Sequence, residues 1–459
     1  MLKYNEVFMK KSKKIKLSTS HIIMLSFLSV ILVGTLLLML PISARSGEAT
    51  PFIDALFTST TATCVTGLVT LPTFSHWSVF GQIVLLVLIQ VGGLGVITVM
   101  SGVMIALQKR IGLGNRLLIQ DAFNLNSLSG IVKFVKKVII GTLIVEGAGA
   151  LLYMTVFIPK YGALGIWYAL FNSISAFCNA GIDILGPDSL VSFATNPIVN
   201  LVTCALIIIG GVGYIVWWDI LRIMKEKPKK PFLSLSLHSK IVIVSTLLLT
   251  FIGALLVFLL EYSNPETLGA LNLFDKIQVS FFQSVTTRTA GFFSVPQELF
   301  RESTSIISIV LMFIGGSPVG TAGGVKTVTV IIVATSAIAA IRSKEQTVLF
   351  GRGISKESLG KALGVIFMAI SIIITSSVLL SAVTPEADAI NIIYEAVSAT
   401  STVGLTRGVT PMLNNAGKLI VAATMYLGRI GPISLAIAFN IKKTGKNLIS
   451  HPTEEISVG

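Results

Sequence analysis

Long apolar runs recur along the chain, and each is followed by a short segment rich in small and hydroxyl side chains. The first run of each repeat is long enough to cross a bilayer, which takes about 20 residues. These runs cover 20–41, 134–158, 241–261 and 361–383. A second apolar run follows each short segment, at 77–108, 197–223, 304–341 and 416–441. The pattern therefore predicts eight spanning helices.

The short segments between the paired runs have too few residues to span. They cover 54–62, 169–182, 276–292 and 391–405. A helix that enters the membrane and returns through an extended loop is stable only where that loop is buried in protein or lines a water-filled cavity. We therefore predict an all-α integral membrane fold of four consecutive helix–pore-loop–helix units. Its eight transmembrane helices and four re-entrant pore helices surround a pseudo-fourfold pore, and both termini are cytoplasmic.

The domain boundaries follow these units. We predict a cytoplasmic N-terminal segment at 1–19, pore unit 1 at 20–108, and pore unit 2 with its leading cytoplasmic loop at 109–223. Pore unit 3 covers 224–341 and contains an intramembrane loop at 315–324, pore unit 4 covers 342–441, and a cytoplasmic tail covers 442–459. The connectors between units are basic and contain Pro or Gly, so we expect loops at 109–133, 224–240 and 342–361. A signal peptide is the alternative for the first run, but its 22 apolar residues favour a spanning helix.

A glycine motif ends each short segment. The glycines stand at 67, 181, 291 and 404, and an aromatic residue precedes each by ten positions. Such a period indicates four copies of one structural unit. Glycine lets the backbone turn carbonyl oxygens inward, and a ring of carbonyls can replace the hydration shell of a cation. Close packing of small residues is the alternative. The predicted filter residues are Thr63, Cys64, Val65, Thr66 and Gly67, then Cys178, Asn179, Ala180 and Gly181, then Arg288, Thr289, Ala290 and Gly291, and finally Ser401, Thr402, Val403 and Gly404.

A second glycine-rich stretch interrupts the last apolar run of unit 3. One proline and five glycines in ten residues cannot propagate a stable helix. A phosphate-binding loop is excluded, because Val325 stands where such a loop needs glycine and membrane helices flank the stretch. A kink that only packs remains the alternative to an intramembrane loop. The stretch consists of Gly315, Gly316, Ser317, Pro318, Val319, Gly320, Thr321, Ala322, Gly323 and Gly324, and Lys326 follows it closely.

Two charged residues fall in the middle of predicted spans. Arg429 lies 25 residues after Gly404, and Gly92 lies 25 residues after Gly67, so the spacing makes Gly92 the equivalent position of unit 1. An arginine at bilayer depth costs at least about 2.5–3.5 kcal/mol, so it should face a cavity or a partner. A salt bridge is one alternative, with Glu146 as a candidate carboxylate. The spacing alone does not identify a partner for Glu146.

Composition and charge agree with a membrane protein. The mean hydropathy is +0.85 and 12% of residues are charged. Of the 35 Lys and Arg, 26 fall in five stretches on the side opposite the glycine motifs. This is the positive-inside pattern, so the net charge of +14 needs no nucleic acid. Basic loops also attract anionic lipid and acidic cytoplasmic partners. The three cysteines are too few for a disulfide framework, and we expect small buried side chains.

The four motifs together resemble the Trk/Ktr/HKT superfamily of potassium transporters, most of all the membrane (B-type) subunits of bacterial Ktr systems. The resemblance covers roughly 20–441. It implies that the four glycines line a selectivity filter that binds potassium, and that the 315–324 stretch is a gate. It further implies that Arg429 projects into the pore below the filter. Family members with Ser at the first glycine tend toward sodium, so Gly67 implies a potassium-type filter.

The resemblance also implies partners and a location. Ktr membrane subunits form homodimers in the bacterial plasma membrane and bind a cytoplasmic ring of regulatory subunits that take ATP, ADP or NAD. This chain contains no Gly-rich dinucleotide motif, so we expect no bound cofactor and nucleotide control only in trans. We weighed two other functions. A secondary transporter for an organic solute usually shows inverted repeats, whereas these four copies run in one orientation. A membrane enzyme needs a cluster of His, Asp, Glu or Cys, whereas the four histidines fall at or beyond the ends of the predicted spans. Potassium uptake is therefore preferred.

Overall fold

The computed structural model describes residues 19–108, 112–122 and 130–431. Almost all of the regular structure in these ranges is helical. The predicted N-terminal segment, the end of the last run (432–441) and the C-terminal tail lie outside the described residues.

The first two units share an order of long helix, short helix and paired helices. Unit 1 contains α1 (Thr19–Leu38), a 3-10 turn (Pro41–Ser43), α2 (Phe52–Thr63), α3 (Thr73–His76), α4 (Val79–Leu94) and α5 (Val96–Ala106). Unit 2 contains α6 (Leu113–Ala122), α7 (Ile131–Tyr161), α8 (Leu164–Phe177), a 3-10 turn (Val191–Phe193), α9 (Pro197–Val212) and α10 (Tyr214–Glu226).

The last two units repeat the order with one change each. Unit 3 contains α11 (Pro231–Ser234), α12 (Leu237–Glu261), α13 (Leu273–Thr286), a 3-10 turn (Gln297–Leu299), α14 (Glu302–Phe313) and α15 (Thr327–Ile341). Unit 4 contains the strands β1 (Val348–Leu349) and β2 (Arg352–Gly353), then α16 (Lys356–Val383), α17 (Ala389–Ser401), α18 (Val409–Met412) and α19 (Asn415–Ile430).

Serine side chains hold three of the short helices against the long helix that precedes them. Each serine hydroxyl donates to a backbone carbonyl of the long helix, and a glycine of that helix faces the serine closely. The bonds are Ser59 to Ile31 O (2.7 Å), Ser173 to Glu146 O (2.6 Å) and Ser284 to Thr250 O (2.8 Å). A buried hydroxyl needs such a partner, so these bonds explain why polar short helices can lie inside the membrane protein.

Three of the four helices that follow the motifs begin at side-chain caps; α14 of unit 3 has none. Ser78 accepts from Gly81 N ahead of α4, Asn196 from Ile198 N ahead of α9, and Asn414 from Gly417 N ahead of α19. A side-chain oxygen at this position satisfies amides that have no partner within the helix.

Two of these runs are not the continuous helices that the sequence predicted. The 77–108 run is divided into α4 and α5, which meet at 101°, and the 197–223 run into α9 and α10, which meet at 96°. Gly95 and Gly213 stand at the breaks with φ of 83° and 93°. Such positive φ values do not occur within a right-handed helix and are readily adopted only by glycine. The continuous-helix prediction was therefore wrong at both places.

The third run is interrupted by a longer break. Helix α14 ends at Phe313 and α15 begins at Thr327, which leaves the predicted 315–324 stretch outside both helices. The ends of the break are held together, since Ile314 and Val325 form an isolated parallel bridge.

All three connectors differ from the loops that we expected, since the short helix α11 lies within the 224–240 connector. Helix α6 lies within the 109–133 connector, and β1 and β2 form an antiparallel hairpin in the 342–361 connector, a small exception to the all-α prediction. By length and composition, four described helices can cross a membrane, or up to six if each bent pair counts as one span: α1, α7, α12, α16, and the pairs α4–α5 and α9–α10.

Candidate functional site

The four predicted motif glycines lie next to one another in a closed ring. We call the segments that carry them motif loops 1 to 4 (63–67, 178–181, 288–291 and 401–404). A Cβ atom built on each glycine would meet a carbonyl oxygen of the next loop, and that of loop 4 would meet loop 1. The pairs are Gly67 with Ala180 O (2.6 Å), Gly181 with Ala290 O (2.5 Å), Gly291 with Val403 O (2.5 Å) and Gly404 with Thr66 O. The ring leaves no room for a side chain at these positions.

The backbone of the four loops follows one repeated conformation. All four glycines have positive φ, between 64° and 99°, and so does the residue two positions before each of them. Those preceding residues are Val65 (53°), Asn179 (58°), Thr289 (66°) and Thr402 (51°). Left-handed backbone is uncommon outside glycine and is a real outlier for a β-branched residue. Its recurrence at the equivalent position of each repeat shows that the four loops share one strained turn.

Hydroxyl side chains of the short helices fix each motif loop from behind. Thr61 accepts from Gly67 N (3.0 Å), and Ser398 accepts from Gly404 N (3.1 Å). Ser175 accepts from Ile182 N (3.1 Å), and Thr286 donates to Phe292 O (2.5 Å). Sequence reasoning missed these four residues. The hydroxyl five or six positions before each glycine was the available signal.

Two predicted filter side chains are directed away from the ring. The guanidinium of Arg288 donates to Thr246 O of α12 (3.1 Å). The thiol of Cys178 lies 3.8 Å from Glu146 Oε1 and 3.6 Å from Gln90 Oε1. Cys64, Cys178 and Cys204 are all buried free thiols, as expected. Arg288 and Cys178 therefore reach the ring only with their backbone.

The 315–324 loop lies directly against the motif loops. Its Thr321 hydroxyl lies 2.9 Å from Asn179 Oδ1 and 3.0 Å from Phe177 O, and its Gly323 N donates to Thr289 Oγ1 (3.1 Å). The break between α9 and α10 holds the other side of the loop. There Ser317 N donates to Gly211 O (2.9 Å), Thr321 N to Gly210 O (3.2 Å), and Tyr214 N to Val319 O (3.0 Å).

Two cations bind carbonyl oxygens of this loop and of unit 1. Arg429 donates to Thr321 O (2.7 Å) and to Gly92 O (2.5 Å), and so joins α19 to the loop and to the end of α4. Lys326 donates to Ala322 O (2.6 Å). A cavity of about 190 Å³ lies beside Arg429 and is also lined by Gly95, Tyr214 and Gly320.

The alternative that Arg429 pairs with Glu146 is wrong. Among the described residues Arg429 makes no salt bridge, and its donors face backbone oxygens. Glu146 is bonded by Gln90 (3.2 Å) and approached by Cys178. Glu395 of α17 is a second buried carboxylate. It lies behind motif loop 4 and accepts hydrogen bonds from Thr406 (2.6 Å) and Thr410.

The equivalence of Arg429 with Gly92 was also wrong, by one residue. A Cβ on Gly92, Gly210 or Gly428 would overlap a carbonyl oxygen of the adjacent motif segment. Gly428 is thus the counterpart of Gly92, and Arg429 occupies the position of Gly93. The error arises because the spacing from motif glycine to helix glycine is 25 residues in unit 1 and 24 in unit 4.

Comparison with known proteins agrees with this architecture. The TrkH family model, described as a cation transport protein, matches residues 5–450. The Ktr system potassium uptake protein B of Bacillus subtilis is 41% identical, with 97% of this chain and 98% of that protein covered. The potassium/sodium uptake protein NtpJ of Enterococcus hirae is 38% identical, with 98% and 99% covered.

A solved structure supports the same fold. The potassium transporter TrkH from Vibrio parahaemolyticus matches with a TM-score of 0.75 and 16% sequence identity, over 94% of this chain and 86% of that one. The relatives are named as uptake proteins and not as enzymes, in agreement with the sequence prediction. The family match over nearly the whole length confirms the resemblance that the four motifs indicated. The chain belongs to the TrkH family of cation transport proteins.

Proposed function

We propose that this protein is the ion-translocating subunit of a potassium uptake system and conducts through a filter of backbone carbonyls. The observation that carries the proposal is the closed ring, in which each motif glycine lies against the carbonyl before the next one. Four equivalent motif loops that meet around one axis present carbonyl dipoles from four sides. Neutral dipoles replace the hydration of a cation without holding it as tightly as a ring of carboxylates.

The filter in this proposal consists of the backbone of the four motif loops. Helices α2, α8, α13 and α17 are its four re-entrant pore helices, and the remaining long or broken helices make eight spans with both termini in the cytoplasm. The basic connectors support this orientation. The names of the relatives support a location in the bacterial plasma membrane.

The 315–324 loop is the proposed gate. It lies against three motif loops, and Arg429 and Lys326 hold its carbonyls. A permanent cation near the conduction path also opposes the passage of potassium electrostatically. In the closed state the 315–324 loop therefore fills the path, and the cations that hold it repel potassium.

Control of the gate is assigned to a partner. Three relatives are named as Ktr system proteins, which supports a partner subunit. From the family resemblance we assign that partner to a cytoplasmic ring of subunits that bind ATP, ADP or NAD, and we assign a homodimer to this chain. The basic connectors of the cytoplasmic face are the proposed contact surface.

Rubidium and potassium uptake in a host that lacks its own potassium uptake tests the function. The chain should restore growth at low potassium and accumulate rubidium. Sodium uptake must be measured in the same cells, because one relative is named as a potassium/sodium uptake protein. Uptake of neither ion by a chain that reaches the membrane would refute the proposal.

A further inference from the structure

The residues two positions before the motif glycines share a backbone conformation but not a side-chain type. Val65, Asn179, Thr289 and Thr402 are all left-handed and at most 1% exposed. Three carry a polar side chain, and the one in unit 1 is valine. We call these four the minus-two residues.

The three polar minus-two residues are the ones that the 315–324 loop touches. The Thr321 hydroxyl approaches Asn179 Oδ1 at 2.9 Å, and Gly323 N donates to Thr289 Oγ1 at 3.1 Å. Gly323 also lies so close to Thr402 Oγ1 that a Cβ on this glycine would overlap the hydroxyl. One short loop thus contacts the minus-two side chains of units 2, 3 and 4.

Unit 1 is held in a different way. Among the described residues, none of the hydrogen bonds of the 315–324 loop reaches Val65, which packs in the apolar core with Ala62 and Leu94. The link to unit 1 passes instead through Arg429, which donates to Thr321 O and to Gly92 O. The polar minus-two residues therefore coincide with the contact surface of the loop.

We propose that the side chains of Asn179, Thr289 and Thr402 are the seat of the 315–324 loop and couple its closure to the geometry of the filter. The inference rests on the proposed function, because it assumes that the motif loops conduct and that the 315–324 loop closes the path. Each seat residue is the left-handed residue two positions before a motif glycine. When the loop leaves, Asn179 and Thr289 lose their hydrogen-bond partners and Thr402 loses a packing contact, so the backbone of motif loops 2 to 4 is freed to relax. Loop 1 lacks such a contact and stays as it is.

The test compares variants of the full-length protein, purified and reconstituted in liposomes without any partner. Thr289→Val removes the acceptor of Gly323 N at nearly constant volume, and Thr289→Ser restores it. Thr35→Val is the matched control, since Thr35 is equally buried but donates within α1, away from the loop. A second measurement reports the position of the loop: the rate at which a thiol-specific reagent modifies the Ser317→Cys variant. The parent chain, which has only its three buried cysteines, gives the background rate.

Thr289→Val should raise basal rubidium flux and the Ser317→Cys modification rate by about 2- to 10-fold, the range that one lost hydrogen bond provides. Thr35→Val should stay near the parent values, and Thr289→Ser should reverse most of both increases because it keeps the acceptor of Gly323 N. If Thr289→Val is not recovered folded, Thr321→Val removes the loop hydroxyl that lies against Asn179, another seat residue, and should give the same two increases.

Unchanged flux and modification rates, together with a lower ratio of potassium to sodium flux, would overturn the proposal and make the minus-two side chains ion ligands only. Failure of the proposed function has a different signature. In that case the parent protein takes up no rubidium at all, whereas the modification assay still reports whether Thr289 holds the loop.

Discussion

The ring of motif loops and the layer of helices behind it are built from the same four repeats but obey different rules. In the ring, all four units have the same backbone conformation and the same contact with the next unit. In the layer that follows, units 1 and 2 have a sharp bend at glycine, unit 3 has a 13-residue break, and unit 4 has Arg429.

The difference indicates a division of labour. A site that surrounds a spherical ion benefits when each side supplies the same ligand at the same distance. A closure device needs one element that moves and others that hold it, so symmetry is of no use there. The 315–324 loop of unit 3 is held by the bend of unit 2 and by the arginine of unit 4. Changes to one layer should therefore affect selectivity, and changes to the other should affect basal flux.

The largest effect is expected when the asymmetric layer loses its special element. Deletion of Ser317 to Thr321 removes several hydrogen bonds of the loop, each contributing about 1 kcal/mol, so basal flux without a partner should rise more than tenfold. The ratio of potassium to sodium flux should change far less. Flux into liposomes, normalised to reconstituted protein, measures both, and wild-type basal flux after the deletion would show that the segment is not a gate.

A change in the ring should do the reverse. A side chain on Gly67 would meet Ala180 O at 2.6 Å on a backbone with φ of 99°, and positive φ alone costs roughly 1–2 kcal/mol per residue. Gly67→Ser should therefore lower the potassium-to-sodium uptake ratio about tenfold while basal gating is kept.

The control for this variant is Gly47→Ser. Gly47 also has positive φ (73°), but no atom lies near its Cβ position, so it shares the backbone strain without the contact. Parallel potassium and sodium uptake should show the altered ratio in Gly67→Ser alone. An unaltered ratio in a well-expressed Gly67→Ser chain would remove this glycine from the filter.

A smaller effect is expected from the arginine that holds the loop. Arg429→Ala should raise flux per protein molecule about fivefold, because two charge-assisted bonds to carbonyls and a positive charge are lost. Arg429→Lys keeps the charge but loses the planar guanidinium that bridges Thr321 and Gly92. Its flux per protein molecule should therefore lie between that of the parent and that of Arg429→Ala.

Glu146→Gln serves as the second-site test for Arg429. Because Glu146 is bonded to Gln90 and not to Arg429, adding Glu146→Gln should not reverse the effect of Arg429→Ala. A fall in flux per folded molecule in Arg429→Ala that Glu146→Gln restores would contradict the proposal that Arg429 opposes the passage of potassium.

The smallest effect is expected from a salt bridge between units 4 and 1. Lys418 of α19 pairs with Asp54 of α2 at 2.5 Å, with side-chain exposures of 18% and 15%. A partly exposed pair contributes about 0–1 kcal/mol, so Lys418→Met should lower the thermal midpoint by only a few degrees. Lys361→Met breaks a fully solvated pair within α16 and should leave the midpoint unchanged. Equal shifts in the two variants would show that the Lys418 pair has no special role.

Sequence reasoning predicted the four motif loops and the 315–324 break, but it missed the helix bends of units 1 and 2 and the partners of the buried charges. The spacing of the four glycines was sufficient to place the motif loops together, because a fourfold repeat has few ways to bury its short helices. Gly95 and Gly213 were visible in the sequence, but single glycines are tolerated inside helices. Only tertiary contacts show that these two adopt positive φ and bend their helices.

The partners of buried polar groups were equally hard to predict. Arg429 binds carbonyls of two other units, and backbone oxygens have no signature in sequence. Glu395 was missed because its partners, Thr406 and Thr410, lie beyond the motif and resemble ordinary loop residues. The serines that fix the short helices were visible as a hydroxyl-rich pattern, but their acceptors were not.

The contact between Gly404 and Thr66 has a consequence for biosynthesis. The two residues are 338 positions apart, and at about 5–20 residues per second the ribosome needs roughly 20 to 70 seconds to supply the second after the first. During that interval motif loop 1 has no neighbour on one side, and its backbone carbonyls lie in a membrane that offers few substitutes for water. The nascent first unit must therefore stay hydrated, or be shielded by the insertion machinery, until the fourth unit arrives. Chains that stop before residue 404 should accumulate bound to that machinery, and their free release into the lipid would show that an incomplete ring is tolerated.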